Sequence, residues 1–300
     1  MNSLNEIAFQ NQQDFWSMLY MYLGKSIKDI LGRKGVEDLR KAMRTIAINK
    51  GISIREEFLE NGIKTNLETL YEQNVYCCAD PRFRLNVLAH DEDFRLFEIY
   101  TCPLANLWLD NDASWLAEIY CEEYHLGLIK GFTEGIGQCC LGKRISCHRT
   151  NGTRPDNHCR FSVYYRAANC NPQQRAESFG DTDHNPLPDR DTRSYLAEKC
   201  VALICELVNV LYQDFSDEGL RAVSAGLYDL AKPAAEMMKH YSSATLSPDI
   251  KAFVSENIPL DLEAASDPAW DGFKDSTAFN IYIASFVIPF ERELGISDKD

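Results

Sequence analysis

Through its first third the chain keeps its apolar residues at a helical period. From Asp14 to Leu31 they recur every three or four positions, with Phe15, Trp16, Met18, Leu19 and Tyr22 as the expected core stripe. A Gly32-Arg33-Lys34-Gly35 break follows. Val36 to Asn49 then reads as a second amphipathic helix ended by Gly51, and a third helical piece runs from Ser53 to Glu72. Next the period changes to two. Phe83 to Leu88 and Phe94 to Thr101 alternate about a turn at Asp91-Glu92, which predicts a β-hairpin.

Pro103 to Leu109 and Ala113 to Lys130 return to helical spacing. A glycine-rich stretch, Gly131 to Gly137, leads into a second predicted strand pair, Lys143 to Arg149 and His158 to Tyr165, joined by the turn-rich Thr150 to Asn157. Residues 169–191 are rich in Pro, Asp, Asn and Gln and read as a linker. Beyond them Thr192 to Gln213, Glu218 to Met238 (interrupted at Pro233) and Ala278 to Leu294 form apolar helices. The expected fold is α+β: a small antiparallel sheet of two hairpins packed with helices, plus a helical C-terminal region. The expected division is residues 1–168, a linker at 169–191, and 192–300.

Composition narrows the function classes. A net charge of −14 over 300 residues provides no basic stripe for phosphate contacts, so no nucleic-acid partner is expected. No apolar run reaches the roughly 18 residues of a membrane span, so no membrane partner is expected either. Met1 to Glu6 lack the basic and apolar regions of a secretory signal. The 11 cysteines are odd in number and include the vicinal pairs Cys77-Cys78 and Cys139-Cys140. Together these features predict a cytoplasmic protein with mostly free thiols. The P-loop, the dinucleotide fingerprint and the His-Glu-x-x-His zinc motif do not occur in the sequence.

Candidate chemistry gathers in the middle of the chain. Cys102 closes a predicted strand and Pro103 follows, so it reads as the N-cap of a helix. Unpaired backbone N–H groups and the positive end of the helix dipole favour thiolate there. Cys121 and His125 are four residues apart on the next helix and share a face, with Glu122 one position round. Cys159 opens the last predicted strand. Thiol, imidazole and carboxylate supply a nucleophile, a group titrating near neutrality, and an acid or base. Each residue also has a plain structural role open to it: the cysteines as core, His125 as a satisfied polar residue, Glu122 with Glu123 as a solvated face.

Tyr100-Thr101-Cys102-Pro103-Leu104, Tyr120-Cys121-Glu122-Glu123-Tyr124, and Arg149-Thr150-Asn151-Gly152 with His158-Cys159-Arg160-Phe161 resemble the L-2-amino-thiazoline-4-carboxylic acid hydrolase family over roughly residues 15–166. The late element is stretched here by Pro155-Asp156-Asn157 before Cys159. The order of helices and hairpins is similar, more weakly, to 4-vinyl reductase-like small-molecule-binding domains. The first resemblance implies a hydrolase that opens a non-peptide C–N bond in a cyclic amidine or thiazoline-like ring. It implies Cys102 as nucleophile, Cys121, Glu122 and His125 as acid–base or orienting groups, and Cys159 as a further pocket thiol. Arg149 or Arg160 would hold a substrate carboxylate, since guanidinium binds it bidentately.

Two alternatives stand beside this reading. One is a zinc site with Cys102, Cys121, Cys159 and His125 as ligands; the hydrolase reading needs no cofactor. The other is a small-molecule sensor that uses the same pocket without catalysis. The partners expected are a small-molecule substrate and, as an option, a second copy of the chain.

Overall fold

The computed structural model describes residues 3–73, 80–142, 159–180, 187, 192–244, 249–258 and 272–296. Arg149, His158, Cys77, Cys78, the predicted strand from Lys143 to Arg149 and the turn after it lie outside those residues. The chain divides into two units, residues 1–42 with 191–300, and residues 43–190. This groups the first 42 residues with the C-terminal region, whereas sequence patterning places them with the sheet.

Helix α1, Ser3–Glu60, is broken at Gly32, whose φ of 64° and ψ of −148° fall in a region open essentially to glycine alone. In the first unit its early turns bury Phe15, Trp16, Leu19, Tyr20 and Leu23. The other helices of this unit are α7 (Thr192–Phe215), α8 (Asp217–Ala244), α9 (Ile250–Asn257), α10 (Thr277–Tyr282) and α11 (Ile288–Leu294), with a π turn, Ile283–Val287, before α11. Phe15 meets Phe286 edge-on at 5.6 Å, and Phe286 stacks on Tyr282 and Phe290. Pro233 does not interrupt α8. It forgoes one backbone hydrogen bond, but Leu230, Ala231, Ala234, Ala235 and Met238 around it are buried, and that packing holds the helix together.

In the second unit Gly51 does not end a helix; α1 continues to Glu60. A Cβ at Gly51 would stand 2.2 Å from the Leu128 carbonyl oxygen, and one at Gly131 would stand 2.0 Å from that of Ile48. Gly127 likewise has Arg44 and Ala47 within 3 Å of that position. These glycines let α1 and α5 (His125–Phe132) touch backbone to backbone, so Gly51 is a crossing point and not a stop signal. The chain turns after Glu60, and α2 (Leu67–Glu72) starts at Asn66, whose side chain accepts from the Thr69 N–H at 2.9 Å.

Strands β1 (Arg84–His90), β2 (Phe94–Thr101), β3 (Gln138–Leu141) and β4 (Cys159–Tyr164) form one antiparallel sheet in the order β1-β2-β4-β3. Asp91 makes the first turn, accepting from the N–H groups of Asp93 and Phe94. Among the described residues β4 pairs with Gln138–Leu141, directly after the glycine-rich stretch. Residues 169–180 are not plain linker. Helix α6 (Pro172–Ser178) starts with an Asn171–Gln174 capping box, and Ser178 is fully buried against Thr65 and Tyr165.

The fold is therefore α+β, with a four-stranded antiparallel sheet and a helical C-terminal region. Among the described residues no helix is long and apolar enough to cross a membrane.

A candidate thiol site

Strand register sorts the sheet into two faces. On one face Leu85, Ile99 and Cys159 form a row across β1, β2 and β4. Val87, Phe97, Phe161 and Leu141 form the next, and His90, Arg95, Val163 and Cys139 the third. This is the face that meets helices: Tyr71 of α2 lies 6.1 Å from the Phe97 ring, and His125 of α5 lies 4.9 Å from the Phe161 ring.

Cys102 sits between β2 and α3 (Pro103–Asp110), in extended conformation at φ −125° and ψ 111°, with Pro103 in the first turn. It is the N-cap, and its side chain makes no capping hydrogen bond. The Asn106 N–H reaches its carbonyl at 3.0 Å. Helix α4 (Ser114–Ile119) leads into a π turn, Tyr120–Tyr124, and then α5. Cys121 lies in that turn, and π turns of this kind recur at functional sites. As a residue Cys121 is half-buried, yet its sulfur is enclosed by protein. Desolvation is the main cause of a pKa raised well above the usual thiol value, followed by Cys102, Cys159 and Cys139 and then Glu122.

Cys121 is thus within electrostatic reach of three other thiols. Cys102 and Cys159 are two of them. Cys139 is the third; burial, then Cys140, push its pKa up to about 12. It stands opposite Val163, four residues and therefore about 13 Å along β4 from Cys159. Among the described residues no group of three or more His, Cys, Asp or Glu side chains is placed to hold a metal ion.

The other predicted site residues are placed differently. His125 is half-buried among Phe161, Tyr120 and Tyr124, on the thiol face. Glu122 is exposed. The buried carboxylate of this turn is Glu123, which Arg44 of α1 pairs at 2.7 Å. Arg160 follows Cys159 on a strand and so points to the opposite face, where it pairs with Glu98. Glu98 is buried and also accepts from the Tyr100 hydroxyl. Arg160 therefore does not join the thiols. Its charge is already matched by a carboxylate next to it.

Sequence reasoning missed Cys139, Glu123 and the aromatic floor of Phe97 and Phe161. Alternation in Gln138-Cys139-Cys140-Leu141 was the available signal, since one member of a vicinal pair on a strand must face the helices. Comparison of the chain with protein families, with curated proteins and with solved structures finds no match.

Proposed function

We propose that this protein is a hydrolase that opens a cyclic amidine or thiazoline-like ring at its amidine carbon, acting on a C–N bond other than a peptide, with Cys102 as nucleophile. One observation carries the reading: the thiol at the start of α3 lies within electrostatic reach of Cys121, as does Cys159 on the sheet face where His125 packs.

The chemistry uses the chain's own groups. The Cys102 sulfur, at the positive end of the α3 dipole, adds as thiolate to the electrophilic amidine carbon and forms a C–S bond. The bond from that carbon to the ring nitrogen breaks, and the nitrogen leaves with a proton supplied by protonated His125. Neutral His125 then takes a proton from water as that water attacks the same carbon, and the Cys102 thiolate departs. The net change is one water added and one ring bond opened. Cys121, with its raised pKa, stays a neutral thiol at pH 7 and serves as a hydrogen-bond donor, not as a competing nucleophile.

The test is turnover. Purified protein is incubated with 2-aminothiazoline-4-carboxylate and with neutral cyclic amidines, and ring opening is followed by mass spectrometry. Cys102→Ser should abolish turnover with the fold retained, because a hydroxyl is close in size to the thiol but ionises far less. A Cys102→Ser protein that keeps its rate would overturn the assignment.

A further inference from the structure

Among the described residues β1 is an edge strand, and three of its apolar side chains are open. Leu85 is 48% and Val87 40% exposed, and Leu88, the extra residue where the register shifts, is 48% exposed. Open apolar side chains on an edge strand are a hazard that proteins ordinarily remove with charge. Here they continue the rows of the thiol site. Leu85 lies opposite Ile99, which lies opposite Cys159, so at about 4.8 Å per strand Leu85 is about 10 Å from the Cys159 backbone. Val87 continues the row of Phe97 and Phe161, on whose ring His125 packs.

Charge on this face is placed away from those rows. Arg160 is on the other face beside Glu98, and Arg95, in the third row, is laid over the Tyr71 ring at 4.0 Å. The floor next to the thiols is hydrocarbon and aromatic.

We propose that the thiol site takes an electrophile with an apolar substituent, which lies along Leu85, Ile99 and Val87. This rests on Cys102 being the reactive thiol of the proposed hydrolase and narrows its substrate class: the group attached to the ring is hydrophobic. Its continuity with the Cys159 row distinguishes this strip from scattered surface apolar residues.

The test reads Cys102 itself and needs no turnover. Rates of Cys102 modification are measured by peptide mass spectrometry for N-methyl-, N-ethyl- and N-butylmaleimide, each divided by its rate with free cysteine. A fully buried methylene is worth about fourfold. A half-covered strip should give about twofold per methylene, so N-butylmaleimide should react about eightfold faster than the methyl compound. Leu85→Ser and Val87→Ser, at exposed positions that do not support the core, should flatten the series to within about twofold. A flat series in the unaltered protein would overturn the proposal. So would failure of Cys102 to react with any of the three, since a site closed to the smallest probe cannot seat the larger ones. So too would conversion of a dimer to a monomer by Leu85→Ser without change in the series, which would assign the strip to a second copy of the chain. Loss of the hydrolase reading shows separately, as absence of turnover with the chain-length series intact.

Discussion

Gly131 lies so close to Ile48 that a Cβ on it would stand 2.0 Å from the Ile48 carbonyl oxygen, a contact no side chain can make. The obstacle is helix backbone, so neither partner can swing aside. Gly131→Ala should therefore cost more than the roughly 1–3 kcal/mol typical of overpacking. Gly142→Ala is the control, because its Cβ would meet only Arg160 side-chain carbons at 3.8 Å. Urea unfolding followed by circular dichroism should show a large fall in midpoint for the first variant and almost none for the second.

Arg160→Ala should act on stability and leave chemistry at the thiols intact. It takes the cation from the buried Glu98 carboxylate and leaves it only the Tyr100 hydroxyl among its two partners named above, at a cost of about 1–3 kcal/mol. Arg160 is itself 49% exposed, which places the effect toward the lower end. Reactivity of Cys102 toward maleimide, measured below the unfolding transition, should be unchanged.

The same Glu98 raises the pKa of Tyr100, chiefly by the hydrogen bond it accepts. The folded state therefore favours the neutral phenol. That stability is fully present below the usual tyrosine value of about 10 and is lost as pH rises through the higher folded value. Difference absorbance at 295 nm should show a late-titrating tyrosine that Tyr100→Phe removes.

His90 is shifted the other way. Burial first, then the Arg95 guanidinium, lower its pKa, and its two ring nitrogens are enclosed without hydrogen-bond partners. Protonation is thus disfavoured in the folded state. The stability tied to the neutral ring is present above the ordinary value of about 6.5 and is lost as pH falls through the depressed folded value. Denaturant midpoints between pH 7.5 and 5 should fall for the unaltered protein and fall less for His90→Phe.

The thiols should separate by reactivity. Burial raises the pKa of Cys121, Cys139 and Cys200, and that of Cys205 to about 11. Brief iodoacetamide treatment at pH 7.5 should label Cys102 and the exposed Cys140 and spare those four. Cys205 labelling should climb as pH approaches 11. Rapid labelling of Cys121 at neutral pH would remove its role as a neutral donor.

Local signals were legible where local physics decides. Cys102-Pro103 reads as a strand end followed by a helix start, and it is one. Asp91 reads as a turn and makes it by its own side chain. The signals misled where a distant backbone decides. Gly51 looks like a stop because glycine is a poor helix former, yet α5 crosses there and only glycine fits. Pro233 looks like an interruption, yet buried neighbours on α8 outweigh the lost bond. Arg160 was legible and misread: beside Cys159 on one strand, it cannot share a face with it. Cys102, Cys121 and Cys139 stand on different elements, and no single-sequence spacing encodes which thiols come within electrostatic reach of one another.

The π turn at Tyr120–Tyr124 has a consequence for how this stretch tolerates length change. Such a turn is an α-helix holding one residue too many, so the residues before it are out of phase with those after it. Removing one residue from the turn would yield an uninterrupted helix, a better one by every local measure. It would also rotate Leu116, Ala117 and Ile119 by about 100° relative to His125, Leu128 and Ile129. Five of the six are buried, three before the turn and two after it, and His125 is half-buried. The extra residue is therefore a phase adjuster. It lets one continuous rod present its first half to one set of neighbours and its second half to another, and the thiol of Cys121 sits at the point where the phase slips.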